Sequence, residues 1–215
     1  MKNFVFISDF DGTLTEKDFF KIIKDEYLVD ESSDLYKYLR DNKTIDAQYL
    51  SKVFNNIGRN EKEIAQDIMK ISMDPFAKEF VENIKAHGGD FVIISAGTSY
   101  YIDMLLEKHN IKDIDVYSNK GVYKDKGIHF DLDKNSEFYS EAYGINKALV
   151  VKKLRSDYKT IYYAGDSAPD LAPALLADVV FAKETLIPLL EKENKKFIEF
   201  HNFSEVWDKL KNILD

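Results

Sequence analysis

The chain has 215 residues, of which 45% are hydrophobic, and this suits one compact domain with an insertion or two small domains and argues against wholesale disorder. Its formal net charge of −8 argues against a broad nucleic-acid surface, but it leaves room for an anionic substrate held by backbone N–H groups, one Lys and a metal ion. The chain contains no Cys, which excludes disulfides and thiolate metal sites.

The hydropathy pattern predicts neither a membrane span nor a secretory signal. No apolar stretch is long enough to cross a bilayer. The apolar run at residues 4–7 is too short for a signal peptide, and acidic residues interrupt it almost at once. We therefore expect a cytoplasmic protein without nucleic-acid or membrane partners, acting as a monomer or homodimer.

Short apolar runs predict the strands of a parallel sheet, because near-continuous apolar character over so few residues is typical of strands buried on both faces. Apolar residues at helical spacing predict helices between them. Alternating strands and helices of this length indicate an α/β fold with right-handed crossovers. The predicted strands cover residues 3–7, 90–94, 159–164 and 179–182, and the predicted helices cover 76–84, 102–106 and 148–154.

Residues 16–75 break this alternation. They contain no convincing strand pattern, and four polar-rich stretches predict helices at 18–27, 33–40, 45–54 and 61–71. We interpret this segment as an all-helical domain inserted after the first strand, with residues 1–15 and 76–215 forming the core domain. Residues 117–133 combine Gly-containing turns with short apolar pairs, which predicts a β-hairpin.

Two carboxylates, Asp9 and Asp11, follow the first predicted strand. Open α/β sheets place their ligand sites at the carboxyl ends of strands, and Gly12 lets the backbone turn sharply and approach a ligand. A bare Asp-x-Asp would favour another interpretation, in which Asp9 caps a helix and Asp11 begins a turn. The full string of residues 8–15 after a buried strand is much more specific for a ligand site.

Two further strand ends carry polar groups. Asp166 and Asp170 follow the run at 161–164, and together with other carboxylates they can hold Mg²⁺ beside a phosphate; the alternative is that one of them caps a helix. Ser95 follows the run at 91–94. Its hydroxyl and the next two N–H groups can hold phosphate oxygens if this segment opens a helix, although a Ser cap alone is a weak signal.

Together these segments resemble the four motifs of the haloacid dehalogenase (HAD) superfamily, in the right order along nearly the whole chain. The helical insertion lies where that superfamily places its C1 cap. Within the superfamily the chain most resembles the phosphoserine phosphatase-like group, and its C-terminal layout is similar to the 2-hydroxy-3-keto-5-methylthiopentenyl-1-phosphate phosphatases of methionine salvage. The resemblance implies a Rossmann-like, HAD-type parallel sheet flanked by helices, with the cap inserted after the first strand.

The resemblance also implies a magnesium-dependent phosphatase that hydrolyses a small-metabolite phosphate monoester through an aspartyl-phosphate. Asp9 is then the nucleophile, and Asp11 is the general acid and later the base. Lys147, which opens the helix after the hairpin, matches the catalytic Lys, with Lys152 and Lys153 as nearby competitors.

The same resemblance assigns the metal and phosphate ligands. Mg²⁺ is held by Asp9, the backbone carbonyl of Asp11, and Asp166, while Asp170 supports the site less directly. The residues expected around the phosphate are Gly12, Thr13, Ser95, Ala96 and Gly97.

Substrate specificity is expected to come from the cap and the hairpin. Asp18 lies at a position where, by the same resemblance, phosphoserine phosphatases carry an acidic residue that binds the substrate amine. An acidic residue is also favoured in any exposed first helical turn. Asn119 in the hairpin is a second candidate. No Arg that would grip a substrate carboxylate is evident, since the cap carries only Arg40 and Arg59, and this puts phosphoserine itself in doubt.

Two alternatives differ in function. A phosphotransferase or mutase of the same fold would pass the phosphoryl group to a sugar instead of water. A non-catalytic HAD-like protein would only bind a phosphorylated ligand, but the two intact carboxylate pairs argue against it.

Overall fold

The computed structural model describes residues 2–27, 30, 33–41 and 45–214. Its strands are β1 (Lys2–Ser8), β2 (Asp90–Thr98), β3 (Asp115–Asn119), β4 (Gly121–Lys124), β5 (Gly127–Phe130), β6 (Tyr139–Ser140), β7 (Gly144–Ile145), β8 (Tyr158–Gly165), β9 (Val179–Ala182) and β10 (Ile198–Glu199). Its helices are α1 (Phe19–Glu26), α2 (Asp34–Asp41), α3 (Ala47–Asn55), α4 (Glu61–Ile68), α5 (Ala77–Ala86), α6 (Ser99–Lys108), α7 (Lys147–Leu154), α8 (Leu171–Leu176), α9 (Leu186–Lys192) and α10 (Phe203–Leu214), with a short 3₁₀ helix at Ala168–Asp170.

A six-stranded parallel sheet forms the centre of the molecule, with the strand order β10-β9-β8-β1-β2-β3. The first strand lies in the interior of the sheet, between β8 and β2. The chain therefore crosses over to one side of β1 first and to the other side later, and this reversal leaves a crevice at the carboxyl ends of the central strands. The fold predicted from the sequence is confirmed.

Both faces of the sheet are covered, which explains the near-continuous apolar run of β1. Phe4 and Phe6 belong to one buried cluster, whereas Val5 and Ile7 belong to another on the opposite face. Phe6 has no exposed surface, and its ring centroid lies 4.8 Å from that of Phe80 in α5. Because both faces of β1 are buried, its sequence shows no alternation of polar and apolar residues. A ligand site on this strand must therefore lie at its end.

The helices α1 to α4, which we call the cap helices, lie between β1 and α5 in sequence. The chain enters and leaves this segment side by side: Thr15 pairs with Met73 in an antiparallel bridge, and the N–H of Glu16 donates to the carbonyl of Ser72 at 3.0 Å. Each of the four predicted helices has a counterpart. Residues 28–29, 31–32 and 42–44 of the predicted insertion lie outside the described residues, and the division into cap and core domains stays a prediction.

Two features around the second strand differ from the sequence prediction. The segment 95–97 does not open a helix: β2 continues to Thr98, whose side chain accepts the N–H of Tyr100 at 3.0 Å and caps α6. The strand can continue because it pairs with β3, with a register shift between Ile94 and Thr98. The strand β3 itself was not predicted, because as an edge strand it is only partly buried and lacks a clear apolar pattern.

The predicted hairpin is confirmed as β4 and β5, which pair antiparallel with Val122 opposite His129. Across the described ranges, no helix is both long and apolar enough to cross a membrane.

Candidate active site

The carboxyl ends of three central strands surround one cavity of about 810 Å³. Asp9 follows β1, Ser95 lies near the end of β2, and Asp166 follows β8. The residues that line the cavity are Asp9, Asp11, Gly12, Glu16, Asp18, Phe20, Lys21, Ile45, Leu50, Phe54, Ser95, Ala96, Gly97, Tyr101, Tyr143, Lys147, Asp166, Ser167, Ala168, Pro169, Lys183, Glu184 and Thr185. The structure therefore brings most of the sequence-predicted site residues to one place.

Lys147 is buried between two carboxylates at the base of this cavity. Its Nζ donates to Oδ1 of Asp9 at 2.6 Å and to Oδ1 of Asp170 at 2.7 Å. Burial alone lowers the pKa of Lys147, but the charges of Asp170 and Asp9 outweigh it and leave the pKa raised. The rival candidates Lys152 and Lys153 are exposed, which leaves Lys147 as the amine beside Asp9.

The position of Lys147 follows from the start of α7. Asn146 caps this helix by accepting the N–H of Leu149 at 3.2 Å, so Lys147 is its first residue. Val150 and Val151 in the next turn are buried in the apolar cluster that covers one face of the sheet. The cap and the apolar turn together fix the direction from which the amine enters the site.

Asp170 has no exposed surface and accepts four hydrogen bonds. Oδ1 accepts from Lys147 and, at 2.7 Å, from the hydroxyl of Tyr163, while Oδ2 accepts the N–H groups of Asp166 and Ser167, both at 3.1 Å. These four donors occupy the acceptor sites of both carboxylate oxygens. The contacts favour a role for Asp170 in orienting Lys147 and the motif around Asp166, rather than direct ligation of a metal.

Asp9, Asp166 and Asp170 each offer a carboxylate oxygen, and these oxygens lie within 4.8 Å of one another. Burial, with a contribution from Asp170, raises the pKa of Asp166 to about 6 and that of Asp9 well above its usual range, although Lys147 opposes both shifts. Three buried carboxylates face one ammonium group, so negative charge is in excess. An oxygen-ligated divalent cation beside Asp9 and Asp166 would offset this excess, and its binding would lower the pKa of both carboxyl groups.

Asp11 also lines the cavity and has two donors of its own. Its Oδ2 accepts the hydroxyl of Tyr101, and its Oδ1 accepts the N–H of Phe19, the first residue of α1, at 3.3 Å. Burial raises the pKa of Asp11 to about 7, and the nearby charge of Asp18 adds to this. A carboxyl group with such a pKa can both release and accept a proton near neutral pH.

Close packing explains two glycines of the site. Gly12 has a φ of +75°, and a Cβ there would lie 2.6 Å from Oδ2 of Asp166. At Gly97 a Cβ would lie 1.8 Å from the hydroxyl oxygen of Tyr101. Thr13, next to the first of these glycines, is buried and does not line the cavity; its hydroxyl donates to Oδ1 of Asp166 at 3.3 Å.

Ser95, Ala96 and Gly97 line the cavity, but their geometry differs from the helix start that the sequence suggested. The N–H of Gly97 donates to Oγ of Ser95 at 2.9 Å. The Ser95 hydroxyl acts here as an acceptor, so its own hydrogen is available to donate elsewhere. The segment therefore offers a hydroxyl donor rather than a helix N-terminus.

The two predicted specificity residues occupy different surroundings. The Asp18 side chain is 15% exposed, lines the cavity and pairs with Lys21 at 2.9 Å, and it does not cap α1. Asn119 does not line the cavity: its side-chain N–H₂ donates to the carbonyls of Ala96 and Tyr143, both at 2.8 Å. These contacts favour a structural role for Asn119, in which it holds the chain beside Ser95.

Sequence reasoning missed three residues that contact the site. Tyr101 and Tyr163 bind Asp11 and Asp170, but a Tyr within an apolar pattern is expected to be core. Lys183 lines the cavity and donates to the carbonyl of Thr13 at 3.2 Å. It directly follows β9, so the rule that marked the other strand ends would have identified it.

A family model described as "Putative Phosphatase" matches residues 4–213. The chain belongs to that family. It is 28% identical to 2-hydroxy-3-keto-5-methylthiopentenyl-1-phosphate phosphatase of Lysinibacillus sphaericus (strain C3-41), covering 98% of this chain and 96% of the relative. It is 24% identical to the protein of the same name from Bacillus cereus (strain ATCC 10987 / NRS 248), covering 96% and 95%.

Solved structures of phosphoserine phosphatases share the fold. A structure described as a phospho-aspartyl intermediate analogue of phosphoserine phosphatase matches with a TM-score of 0.68 at 20% identity, covering 97% of this chain and 99% of that one. A substrate-bound phosphoserine phosphatase complex matches with a TM-score of 0.69 at 17% identity, with the same coverage. The protein is a phosphatase, a phosphoric monoester hydrolase, and it has the HAD-type fold of the phosphoserine phosphatases.

The substitution Lys147→Met tests the buried ion pairs. We expect it to lower the free energy of unfolding at pH 8 by about 3–5 kcal/mol, because Asp9 and Asp170 lose their buried counter-ion. Urea unfolding measures the change. Lys153→Met in the same helix is the matched control: its pair with Glu137 is exposed to solvent, so we expect little change in stability. Equal, small losses in both variants would show that Lys147 does not hold the two carboxylates together.

Proposed function

We propose that this phosphatase uses Mg²⁺ to hydrolyse a small-metabolite phosphate monoester through an aspartyl-phosphate on Asp9. The single observation that carries the proposal is the placement of Asp9 at the end of β1, 2.6 Å from the buried amine of Lys147 and beside the carboxylate of Asp166. This arrangement combines a candidate nucleophile, a fixed positive charge and a candidate cation site at one edge of the sheet.

Asp9 is the proposed nucleophile. The ammonium group of Lys147 favours its ionised form and offsets repulsion from the phosphate dianion. An oxygen of Asp9 forms a bond to phosphorus while the bond to the leaving oxygen breaks, which divides hydrolysis into two easier displacements. The Ser95 hydroxyl and the backbone around Gly12 and Ala96 are proposed to bind the phosphate oxygens.

Asp11 is the proposed general acid and base. It protonates the leaving oxygen in the first step, and as a carboxylate it accepts a proton from the water that attacks the aspartyl-phosphate in the second. Its pKa of about 7 suits both directions of transfer. Its donors, Tyr101 and the N–H of Phe19, keep it at the cavity wall.

The residues that would hold Mg²⁺ are Asp9, Asp166 and the backbone carbonyl of Asp11, with Asp170 supporting them through the backbone N–H of Asp166. When bound, the cation neutralises charge on the transferring phosphoryl group. The excess of buried carboxylates over ammonium groups supports this assignment.

The apolar residues on the cap side of the cavity favour a substrate with an apolar segment. Phe20, Ile45, Leu50 and Phe54 line this side, and the lining includes no Arg among the residues that the structure describes. Curated relatives are named for 2-hydroxy-3-keto-5-methylthiopentenyl-1-phosphate, whose methylthio end is apolar. We propose that compound, or one like it, as a better substrate than phosphoserine, whose carboxylate is bound best by the bidentate guanidinium group of an Arg.

The nucleophile is tested by Asp9→Asn, which we expect to abolish phosphate release from p-nitrophenyl phosphate while the protein stays folded, because an amide is a poor nucleophile toward phosphorus. In wild-type protein mixed with substrate and quenched in acid, we expect a base-labile phosphate on the peptide that contains Asp9. The control is Asp208→Asn on the exposed face of α10. Near-native turnover by Asp9→Asn would refute the assignment, and phosphate release that needs an added acceptor would favour a transferase.

Removal of the metal gives a second test. We expect EDTA to abolish activity and Mg²⁺ to restore it, and we expect Mg²⁺ to raise the midpoint of thermal unfolding of the wild type because it binds the folded state. The substitution Asp166→Asn should remove most of that thermal shift by deleting one carboxylate ligand. Activity that persists in EDTA, or an unchanged shift in the variant, would contradict the proposed site.

A direct comparison of substrates tests specificity. We expect kcat/KM for 2-hydroxy-3-keto-5-methylthiopentenyl-1-phosphate to exceed that for phosphoserine by about 100-fold, since a missing partner for a charged group discriminates more strongly than shape alone. The substitution Leu50→Ala should lower the ratio of the two kcat/KM values, because it removes apolar surface from the cap side of the cavity. A preference for phosphoserine would reverse the substrate proposal and leave the phosphatase assignment untouched.

A further inference from the structure

Tyr101 lies where the core meets the cap helices. It belongs to α6 and is only 1% exposed. Its ring centroid lies 6.2 Å from that of Phe10 in the turn after β1, 5.0 Å from that of Phe19 in α1 and 6.3 Å from that of Phe54 in α3. Aromatic neighbours from three segments surround the ring, so its position is fixed by packing and not by its hydroxyl group.

The hydroxyl of this fixed ring points at Asp11 and donates to its Oδ2. The backbone makes room for the contact, because at Gly97 a Cβ would lie 1.8 Å from the hydroxyl oxygen and 2.7 Å from Oδ2 of Asp11. Because Gly97 has no side chain, it leaves room for this hydrogen bond. A donor held in this way binds its acceptor with little further loss of side-chain entropy.

The two oxygens of Asp11 are not equivalent. Oδ2 receives the phenolic hydroxyl, whereas Oδ1 receives the N–H of Phe19 at 3.3 Å, which is long for an N–H···O bond. In a protonated carboxyl group one oxygen carries the proton and the other is the better acceptor. The stronger donor therefore reserves Oδ2 as the acceptor and leaves Oδ1 as the oxygen that carries the proton.

We propose that Tyr101 is a positioning residue for the proton transfer of this phosphatase. By holding Oδ2, it presents the protonated Oδ1 of Asp11 to the leaving oxygen of the phosphate ester. This inference rests on the proposed role of Asp11 as the general acid, and it assigns to Tyr101 a function through Asp11 rather than through contact with the substrate.

The proton transfer belongs to the first of two displacements. The carboxylate of Asp9 forms a bond to phosphorus, the bond from phosphorus to the leaving oxygen breaks, and the proton on Oδ1 of Asp11 moves to that oxygen. The alcohol departs and Asp11 is left as a carboxylate. In the second step the oxygen of a water molecule forms a bond to phosphorus, the bond between Asp9 and phosphorus breaks, one proton of the water moves to Oδ1 of Asp11, and inorganic phosphate departs.

The need for this proton depends on the leaving group. Benzyl phosphate must expel an alkoxide, which requires protonation, whereas p-nitrophenyl phosphate expels a stabilised phenolate that leaves without it. The two esters are similar in size. Displacement of Oδ1 must therefore slow the hydrolysis of benzyl phosphate much more than that of p-nitrophenyl phosphate.

The experiment measures kcat/KM for both esters with the wild type and with Tyr101→Phe, which removes only the hydroxyl. This parameter reports steps up to formation of the phosphoenzyme, so the basic role of Asp11 does not enter. We expect a loss of about 10- to 100-fold for benzyl phosphate and less than about 3-fold for p-nitrophenyl phosphate.

Tyr163→Phe is the matched control. Tyr163 is also fully buried and donates to a site carboxylate, but that carboxylate is Asp170, which touches Lys147 and not Asp11. We expect Tyr163→Phe to slow both esters by the same factor and to leave their ratio unchanged. Thermal unfolding of both variants shows that each is folded.

Asp11→Asn separates this inference from the proposed function. If Asp11→Asn slows benzyl phosphate selectively and Tyr101→Phe does not, Asp11 is the acid and the inference about Tyr101 is wrong. If Asp11→Asn slows both esters equally, the acid assignment itself fails. A uniform loss in Tyr101→Phe would reveal a merely structural hydroxyl and would also overturn the inference.

Discussion

The site depends on one ammonium group that is held away from water between two carboxylates. A buried Lys is stable only if opposite charge compensates it, and Asp9 and Asp170 supply that charge at 2.6 and 2.7 Å. Because Asp9 follows β1 and Asp170 ends the 3₁₀ helix after β8, this pair of contacts connects two strand ends to the start of α7. Without the amine, the carboxylates would repel one another in an apolar surrounding.

The same charges define what else the site requires. Asp166 adds a third carboxylate within reach of the other two, so the cluster carries more negative charge than Lys147 can offset. The proposed divalent cation would offset this excess, whereas a phosphate ester adds negative charge of its own, which the cation and Lys147 would attract. The parallel sheet makes this arrangement possible by ending its central strands at one edge.

The sequence predicted the parts of this arrangement that local chemistry marks. Carboxylates directly after buried strands identified Asp9 and Asp166, and motif order identified Lys147, although its burial could not be inferred from a helix that also carries exposed lysines. The tyrosine hydroxyls, the extension of β2 and the edge strand β3 escaped prediction. Each depends on a partner that is distant in sequence, such as Asp11 for Tyr101 or β2 for β3. The hydrophobic periodicity of a segment contains no information about such a partner.

Asp11 joins the chemistry to the cap helices. Its Oδ2 is held by α6, which packs on the sheet, while its Oδ1 accepts the first N–H of α1. The ring of Tyr101 in turn packs against Phe19 and Phe54, and Phe54 also lines the cavity. In the proposed mechanism, residues that shape the space for the leaving group therefore also set the orientation of Asp11, the group proposed to protonate it. A substitution in this wall acts on both, so substrate choice and catalytic rate are not separate properties of the two halves of the site.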